Sequence, residues 1–382
     1  MGIPLLLLEA NLVKRQGTPR ILDAKPGRCD IFRGRWTRHN GATYYTNSSC
    51  TAITDQLNCF KFGRPDFDFL NWRWIPYGCD LPKIDAQAFL EFVRGKSMAF
   101  VGDSIGRNQM HSLQCILAEV DKPEDVSDKE KPDPSFPRWH FPRYNFTVAA
   151  FFTPFLVKAT TDDAVLSGAS TVNLYLDEPD PKWASQIGSF DVVVIAAAHW
   201  LFSNKLIFHS NGRILGCSSK TCNHPNVTPL VRSHGMQKVF RTTFQTLLRN
   251  RNYRGVTFLR TFSPQHFENG GWDSGGTCAR TRPIAAGEAL LKAHEEELYL
   301  AQTREFREAE RAASKTGLKF RLLDTTEMML LRPDGHPNVY NRYSQGKWNK
   351  TDCVHWCLPG PIDTWNEMLH HLLVEAEGKG SV

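Results

Sequence analysis

The run that follows Asp191, Val192-Val193-Val194-Ile195-Ala196-Ala197-Ala198, limits the possible folds more than any other stretch. A run this apolar and β-branched, with no polar alternation, reads as a strand buried on both faces. Such a strand belongs in the middle of a parallel sheet with helices above and below it. A second apolar segment, Met98-Ala99-Phe100-Val101, is followed by Leu113, Ile116, Leu117 and Val120 at i, i+3, i+4 and i+7, one face of a helix. Further strands are expected at Asn145–Val157, Thr171–Leu176, Gly255–Arg260 and Phe320–Leu323. Helices are expected at Ala86–Val93, Met236–Leu248, Ala285–Ala313 and Pro361 to about Val374. Asp121–Phe136 is charged and proline-rich and reads as an exposed loop. Strands alternating with helices predict an α/β protein with a mainly parallel central sheet between two helical layers. No internal repeat is present.

The first strand and its helix meet at Gly102-Asp103-Ser104-Ile105-Gly106-Arg107-Asn108-Gln109. A serine there stands at the carboxyl edge of a sheet, beside the unpaired backbone N–H groups of a helix N-terminus. Both are what a serine nucleophile needs, since the N–H groups can stabilise an oxyanion. The competing structural reading is a helix-capping turn.

A nucleophilic serine requires a base and a group to orient it. Of the 13 histidines, His355 is the best placed, in Asp352-Cys353-Val354-His355-Trp356-Cys357-Leu358-Pro359-Gly360-Pro361, a tight loop ahead of the last helix. Asp352, three residues earlier, can hold the imidazole Nδ1–H while Nε2 faces outward. The structural alternative is a surface loop whose aspartate caps a turn.

Ten cysteines, an even number, include no Cys-x-x-Cys pair, so zinc spacing is poor and no metal is expected. Disulfides in an oxidising compartment fit better. Sequons at Asn47, Asn145, Asn226 and Asn349 agree with the secretory pathway. The net charge of +6 is spread out without a Lys/Arg block, so a nucleic-acid partner is not expected; an acidic or neutral polymer suits the surface as well. Ile3–Leu8 is too short for a spanning helix or an ordinary signal core, and no later segment is long enough to span.

Three tracts read as candidate substrate contacts. Trp72-Arg73-Trp74 lies in the cysteine-rich, aromatic segment from Cys29 to Cys79, which reads as loop; the triplet is either core aromatics around a snorkelled arginine or a wall for a sugar ring. His199-Trp200 follows the Val192–Ala198 run, at the strand end where open α/β sheets build sites; a satisfied structural histidine is the competing reading of His199. Asn269 lies in the glycine-rich loop His266–Cys278, with Glu268, Trp272 and Asp273.

Gly-Asp-Ser near the start and Asp-x-x-His before the last helix occur here with Cys29-Asp30-Ile31-Phe32, Phe62-Gly63-Arg64-Pro65-Asp66 and Trp72-Arg73-Trp74. Together they resemble the plant trichome birefringence-like proteins, polysaccharide O-acetyltransferases related to the SGNH/GDSL esterases. The resemblance runs from Cys29 to about Leu373. It implies an SGNH-like α/β/α sandwich at 96–376, a small disulfide-tied lobe at 29–95 and a tail at 1–28. It also implies an enzyme of the Golgi lumen that acetylates cell-wall glycan hydroxyls, with Ser104 as nucleophile, His355 as base, Asp352 as its orienter, and Ser104 and Arg107 binding the oxyanion. No cofactor is implied beyond an acetyl donor, acetyl-CoA or an acetylated intermediate, supplied directly or by a partner protein. The family's N-terminal membrane anchor is not visible in this sequence. The SGNH block after the central strand, with its Gly or Asn, is replaced by Ala198-His199-Trp200, so the group that completes the oxyanion hole is open. Phe60–Asp66, Arg260-Thr261-Phe262, His266–Gly270 and Leu330–Pro337 resemble most the xyloglucan-acetylating branch, ahead of mannan and xylan enzymes. An acetylesterase with the same triad and a non-catalytic glycan-binding protein are the rival functions. The family pattern implies disulfides Cys29–Cys79, Cys50–Cys115, Cys59–Cys357 and Cys278–Cys353, leaving Cys217 and Cys222 to pair with each other.

Overall fold

The computed structural model describes residues 29–161, 171–203, 205–218, 232–344 and 350–378. The tail, Cys222 and the sequons at Asn226 and Asn349 lie outside these residues. Thirteen strands are described: β1 (Gly34–Arg38), β2 (Trp72–Pro76), β3 (Ser97–Gly102), β4 (Glu124–Asp125), β5 (Arg138–Phe141), β6 (Phe146–Phe152), β7 (Val157–Thr161), β8 (Val172–Pro179), β9 (Val192–Ala196), β10 (Leu206–Ser210), β11 (Arg213–Cys217), β12 (Val256–Arg260) and β13 (Lys319–Leu323). The helices are α1 (Ala86–Phe92), α2 (Ser104–Ala118), α3 (Pro181–Ala184), α4 (Arg232–Arg249), α5 (Ala293–Ser314), α6 (Thr326–Leu330) and α7 (Asp363–Ala376).

The main sheet has the order β13-β12-β9-β3-β6-β5-β4. Its first five strands are parallel, and β5 and β4 add an antiparallel edge. As the unbroken apolar run requires, Val192 to Ala198 is buried throughout, in the middle of that sheet. Side chains of β3 alternate between two cores: Met98 and Phe100 pack with α1, α2 and α7, whereas Ala99 and Val101 pack with α4 and α5. The architecture is therefore the expected α/β/α sandwich. Strand order reverses between β3 and β9, the point where open α/β sheets form a crevice at their carboxyl ends. Gly102 ends β3 there because a Cβ would come 2.0 Å from the Ala196 carbonyl oxygen of β9.

Three expected elements differ. Asn145–Val157 is two strands, since the chain turns at Thr153–Leu156, where Leu156 takes a left-handed backbone (φ 62°), and β7 joins a separate sheet of order β11-β10-β8-β7. The long helix begins at Ala293 rather than Ala285: Gly287 turns the chain (φ 87°), and at the true start the Glu295 carboxylate reaches back to accept the Lys292 N–H (3.0 Å). Cys29–Cys79 is not all loop, because β1 and β2 pair antiparallel.

That N-terminal segment is welded to the rest. Trp36 and Trp74 lie in the same core as α2 and α7, and Trp36 Nε1–H donates to the Met328 carbonyl (2.8 Å). Cys29–Cys79, Cys50–Cys115, Cys59–Cys357 and Cys278–Cys353 are all formed as the resemblance implied. Cys217 is also disulfide-bonded. Cys59–Cys357 spans 298 residues, a loop whose closure restricts the unfolded chain by about 5 kcal/mol in the chain-entropy account.

Candidate active site

Asp103 caps α2, its Oδ1 accepting the Ile105 N–H (3.0 Å), so that Ser104 becomes the first helical residue and its hydroxyl clears the sheet edge. Oδ2 of Asp103 accepts the backbone N–H groups of Ala198 (2.9 Å) and His199 (3.2 Å), which fixes the end of β9 against the start of α2. Burial opposes the charge on Asp103, but His199, Arg260 and these N–H groups hold the carboxyl well below its usual range. The two N–H groups after β9 are thereby committed to Asp103. Other donors at this end of the sheet are the N–H groups of the α2 N-terminus and the Arg107 guanidinium. Arg107 lies one turn into α2, on the Ser104 face, with its guanidinium 4.5 Å above the Phe152 ring.

His355 Nε2 lies 2.8 Å from Ser104 Oγ, and His355 Nδ1 lies 2.8 Å from Asp352 Oδ2. The only tautomer that serves both contacts carries its proton on Nδ1, leaving Nε2 to accept the serine hydroxyl. The other carboxylate oxygen of Asp352 accepts the N–H groups of Val354 (3.1 Å) and His355 (3.0 Å), so the loop closes on its own carboxylate. Although burial disfavours the charge, these bonds and the imidazole keep Asp352 well below the usual carboxylate range. His355 is raised above its ordinary value, since Asp352 outweighs the opposing effect of burial.

No helix or strand carries His355; its loop is braced by side chains. Asn108 on α2 both accepts from the Trp356 N–H (2.8 Å) and donates to the Trp356 carbonyl (3.2 Å). His336 Nδ1–H donates to the His355 carbonyl (2.7 Å), its ring stacks on Trp356 at 4.1 Å, and His266 Nδ1 meets His336 Nε2 at 2.7 Å. Arg64 donates to the carbonyls of Asp334 (2.6 Å) and His336 (2.9 Å), and the wholly buried Arg332–Asp334 pair (2.9 Å) fixes that same turn. Asn338 and Asp352 exchange backbone hydrogen bonds of 2.8 and 2.9 Å. Two disulfides anchor Cys353 and Cys357 on either side of His355.

Ser104, Asp352 and His355 are thus brought together, with Arg107 and His199 alongside. Trp200, 47% exposed, sits beyond His199 with its ring edge-on to Phe152 and Phe155, an open face at the same end of the sheet. The Trp72-Arg73-Trp74 triplet needs correction. Trp74 is fully buried and donates to the Ile31 carbonyl (2.9 Å), so it is core and cannot present a wall to sugar. Arg73 pairs with Glu367 of α7 (3.6 Å), and the half-buried Trp72 packs against the same core. Asn269 is exposed with a left-handed backbone (φ 57°), at the tip of its loop.

Sequence reasoning missed Asn108, His266, His336 and Gln56, whose amide nitrogen lies 3.0 Å from His355 Nδ1. Asn108 had a signal, since it lies within the serine motif itself, one turn along the helix from Ser104. The two histidines stood within quoted motifs but nothing local joins them. Gln56 had no signal.

The family described as "GDSL/SGNH-like Acyl-Esterase family found in Pmr5 and Cas1p" matches residues 81–372, and the "PMR5 N terminal Domain" matches residues 27–80. Protein trichome birefringence-like 19 of Arabidopsis thaliana is 47% identical, over 92% of this chain and 82% of that protein. Xyloglucan O-acetyltransferase 4 of Populus trichocarpa is 44% identical, over 90% of this chain and 80% of that protein. Xyloglucan O-acetyltransferase 2 of Arabidopsis thaliana is 41% identical, over 89% of this chain and 81% of that protein.

Proposed function

The chain belongs to the GDSL/SGNH-like acyl-esterase family found in Pmr5 and Cas1p, among its trichome birefringence-like members, and from that premise we propose that it is a polysaccharide O-acetyltransferase. The observation that carries the reading is the unbroken contact series Ser104–His355–Asp352, two bonds of 2.8 Å. In the first half-reaction His355 Nε2 takes the Ser104 proton as Oγ attacks the acetyl carbonyl of the donor. The tetrahedral oxyanion is met by the N–H groups of the α2 N-terminus and by Arg107. Collapse expels the donor's leaving group, which takes the proton from His355 and leaves acetyl-Ser104. In the second half a sugar hydroxyl gives its proton to Nε2 and attacks the acetyl carbon, and Ser104 departs with that proton restored. Asp352 stays ionised and holds Nδ1–H throughout.

The acceptor we propose is xyloglucan, at hydroxyls of its side-chain galactose; relatives named xyloglucan O-acetyltransferases support it. Trp200 supplies an exposed ring of the kind that stacks on a sugar face. The donor is acetyl-CoA or an acetylated intermediate, and the site of action the Golgi lumen, in keeping with the disulfides. Transfer to water, esterase activity with the same residues, is the second reading, favoured by the family's description as acyl-esterases.

Mass spectrometry of the protein incubated with acetyl donors and a panel of xyloglucan, mannan and xylan oligosaccharides tests the proposal. One acetyl group on the Ser104 peptide, discharged onto xyloglucan fragments and absent in Ser104→Ala, is expected, with activity lost by several orders of magnitude in that variant. Acetylated product formed by folded Ser104→Ala at the wild-type rate would overturn it.

A further inference from the structure

Asp352 Oδ2 accepts two donors: His355 Nδ1–H at 2.8 Å and the Gln56 amide at 3.3 Å. With Val354 and His355 N–H on its other oxygen, the carboxylate receives four hydrogen bonds, three from its own loop and one from a segment 296 residues away in sequence. The same Gln56 nitrogen lies 3.0 Å from Nδ1 and 3.3 Å from Nε2 of His355. Each ring nitrogen has one in-plane position, and Asp352 and Ser104 occupy them. An atom near both nitrogens at once therefore stands against the ring face.

Gln56 is itself held firmly. The turn around it is closed by Leu57 and Asn58 N–H groups on the Thr54 carbonyl (2.9 and 3.1 Å). Leu57 is buried, its carbonyl accepts the Leu358 N–H (3.0 Å), and Cys59 is bonded to Cys357. The chain just after Gln56 is thus tied at two points to the loop that carries His355.

We propose that Gln56 is a positioning residue for the triad, supplied by the N-terminal lobe: its amide clamps the His355 ring between Asp352 and Ser104 and completes the hydrogen bonding of Asp352. This rests on the reading of His355 as the base. The two domains matched separately, 27–80 and 81–372, would then make one active site, because the fourth bond to the triad carboxylate comes from the smaller.

The chemical consequence has a sign. The charged or titratable groups around His355 are Asp352 on its own loop, Asp103 and Arg107 at the start of α2, and His336 behind it. An amide N–H aimed at the ring disfavours the imidazolium, and its bond to Asp352 draws charge from the carboxylate that favours it. Loss of Gln56 raises the protonation midpoint of His355 on both counts, and a carboxylate in its place raises it further.

The test is the titration of His355 by NMR in histidine-labelled protein, with the pH dependence of Ser104 labelling by a fluorophosphonate measured in parallel. Gln56→Glu, nearly isosteric, is expected to move the His355 midpoint and the acid limb of labelling upward by roughly one to two pH units. Gln56→Ala should move both the same way by less, and Gln56→Met replaces it if the smaller residue unfolds. A folded variant of either kind whose His355 titrates as in the wild type overturns the proposal. The NMR midpoint does not depend on Ser104 being reactive. A shifted midpoint in a protein that the fluorophosphonate never labels would therefore support the clamp while refuting the transferase reading.

Discussion

Ser104 and His355 meet at 2.8 Å, yet they are held in place by different means. Ser104 stands between β3, paired on both sides with parallel strands, and a 15-residue helix. Its position follows from regular backbone hydrogen bonds and two apolar cores, shared among dozens of residues. His355 stands on a loop with neither helix nor strand, fixed by two disulfides, the Asn108 clasp, the His336 bond and the carboxylate of Asp352. Support spread over a sheet and a helix fails only when the domain unfolds. Support concentrated in a few named contacts can fail one contact at a time, with the fold intact.

The largest effect expected from this contrast is at the base itself. His355→Ala should lose activity by several orders of magnitude, and Asp352→Ala by roughly 10⁴-fold, with the two together costing little more than His355→Ala because they act as a unit. Steady-state kinetics with circular dichroism as the folding control checks this. Additive losses would separate the pair and break the contrast.

Next come the clamps. Replacing Cys278 and Cys353 together by serine releases the base loop but leaves β3 and α2 untouched, and a displacement of about 1 Å costs on the order of 10²-fold in rate. Replacing Cys29 and Cys79, far from the loop in sequence and bonded to each other, should lower melting temperature with little change in turnover below it. Equal losses of turnover from both pairs would erase the distinction between the two supports.

The smallest effect is a pH dependence of stability where the N-terminal lobe meets α7. Burial pushes Asp363 up to about 6 and Glu367 up to about 7, despite hydrogen bonds from Ser112 and Tyr45 to the first and from Tyr44 to the second. Their folded values exceed those of an unfolded chain, about 3.9 and 4.3, so the folded state holds more protons and stability falls as pH rises through 6 to 7. His111 and His266, pushed down to about 4 by burial, act oppositely but only below pH about 6.5, where an unfolded histidine begins to protonate. Melting temperature should therefore drop between pH 6.5 and 8, and the drop should be smaller in Glu367→Gln. An unchanged slope in that variant would remove Glu367 from the account.

The same contrast explains what could be read from sequence. The sheet, its two helical layers and the turn that carries Ser104 follow from runs such as Val192–Ala198 and from the Leu113–Ile116–Leu117 spacing, because such elements are encoded locally. The break at Leu156 and the late start of α5 were not legible: a left-handed turn at a leucine, and a helix start at Lys292 with no capping side chain of its own, carry no usual turn or cap signature. The Asp352–His355 pair was visible because three residues hold both, whereas its braces come from Gln56, Asn108, His266 and His336, whose proximity is created only by the fold. Trp72-Arg73-Trp74 stayed open between core and binding wall because composition does not tell which side of a short ladder faces the core.

The division of support between Ser104 and His355 is tested most directly by hydrogen exchange, read by mass spectrometry, on protein reduced just far enough to lose activity. The account predicts that amides of β3 and α2 keep their protection while those of residues 350–358 exchange freely. Protection lost equally in both regions, or activity that survives with Cys278–Cys353 and Cys59–Cys357 both reduced, would contradict it.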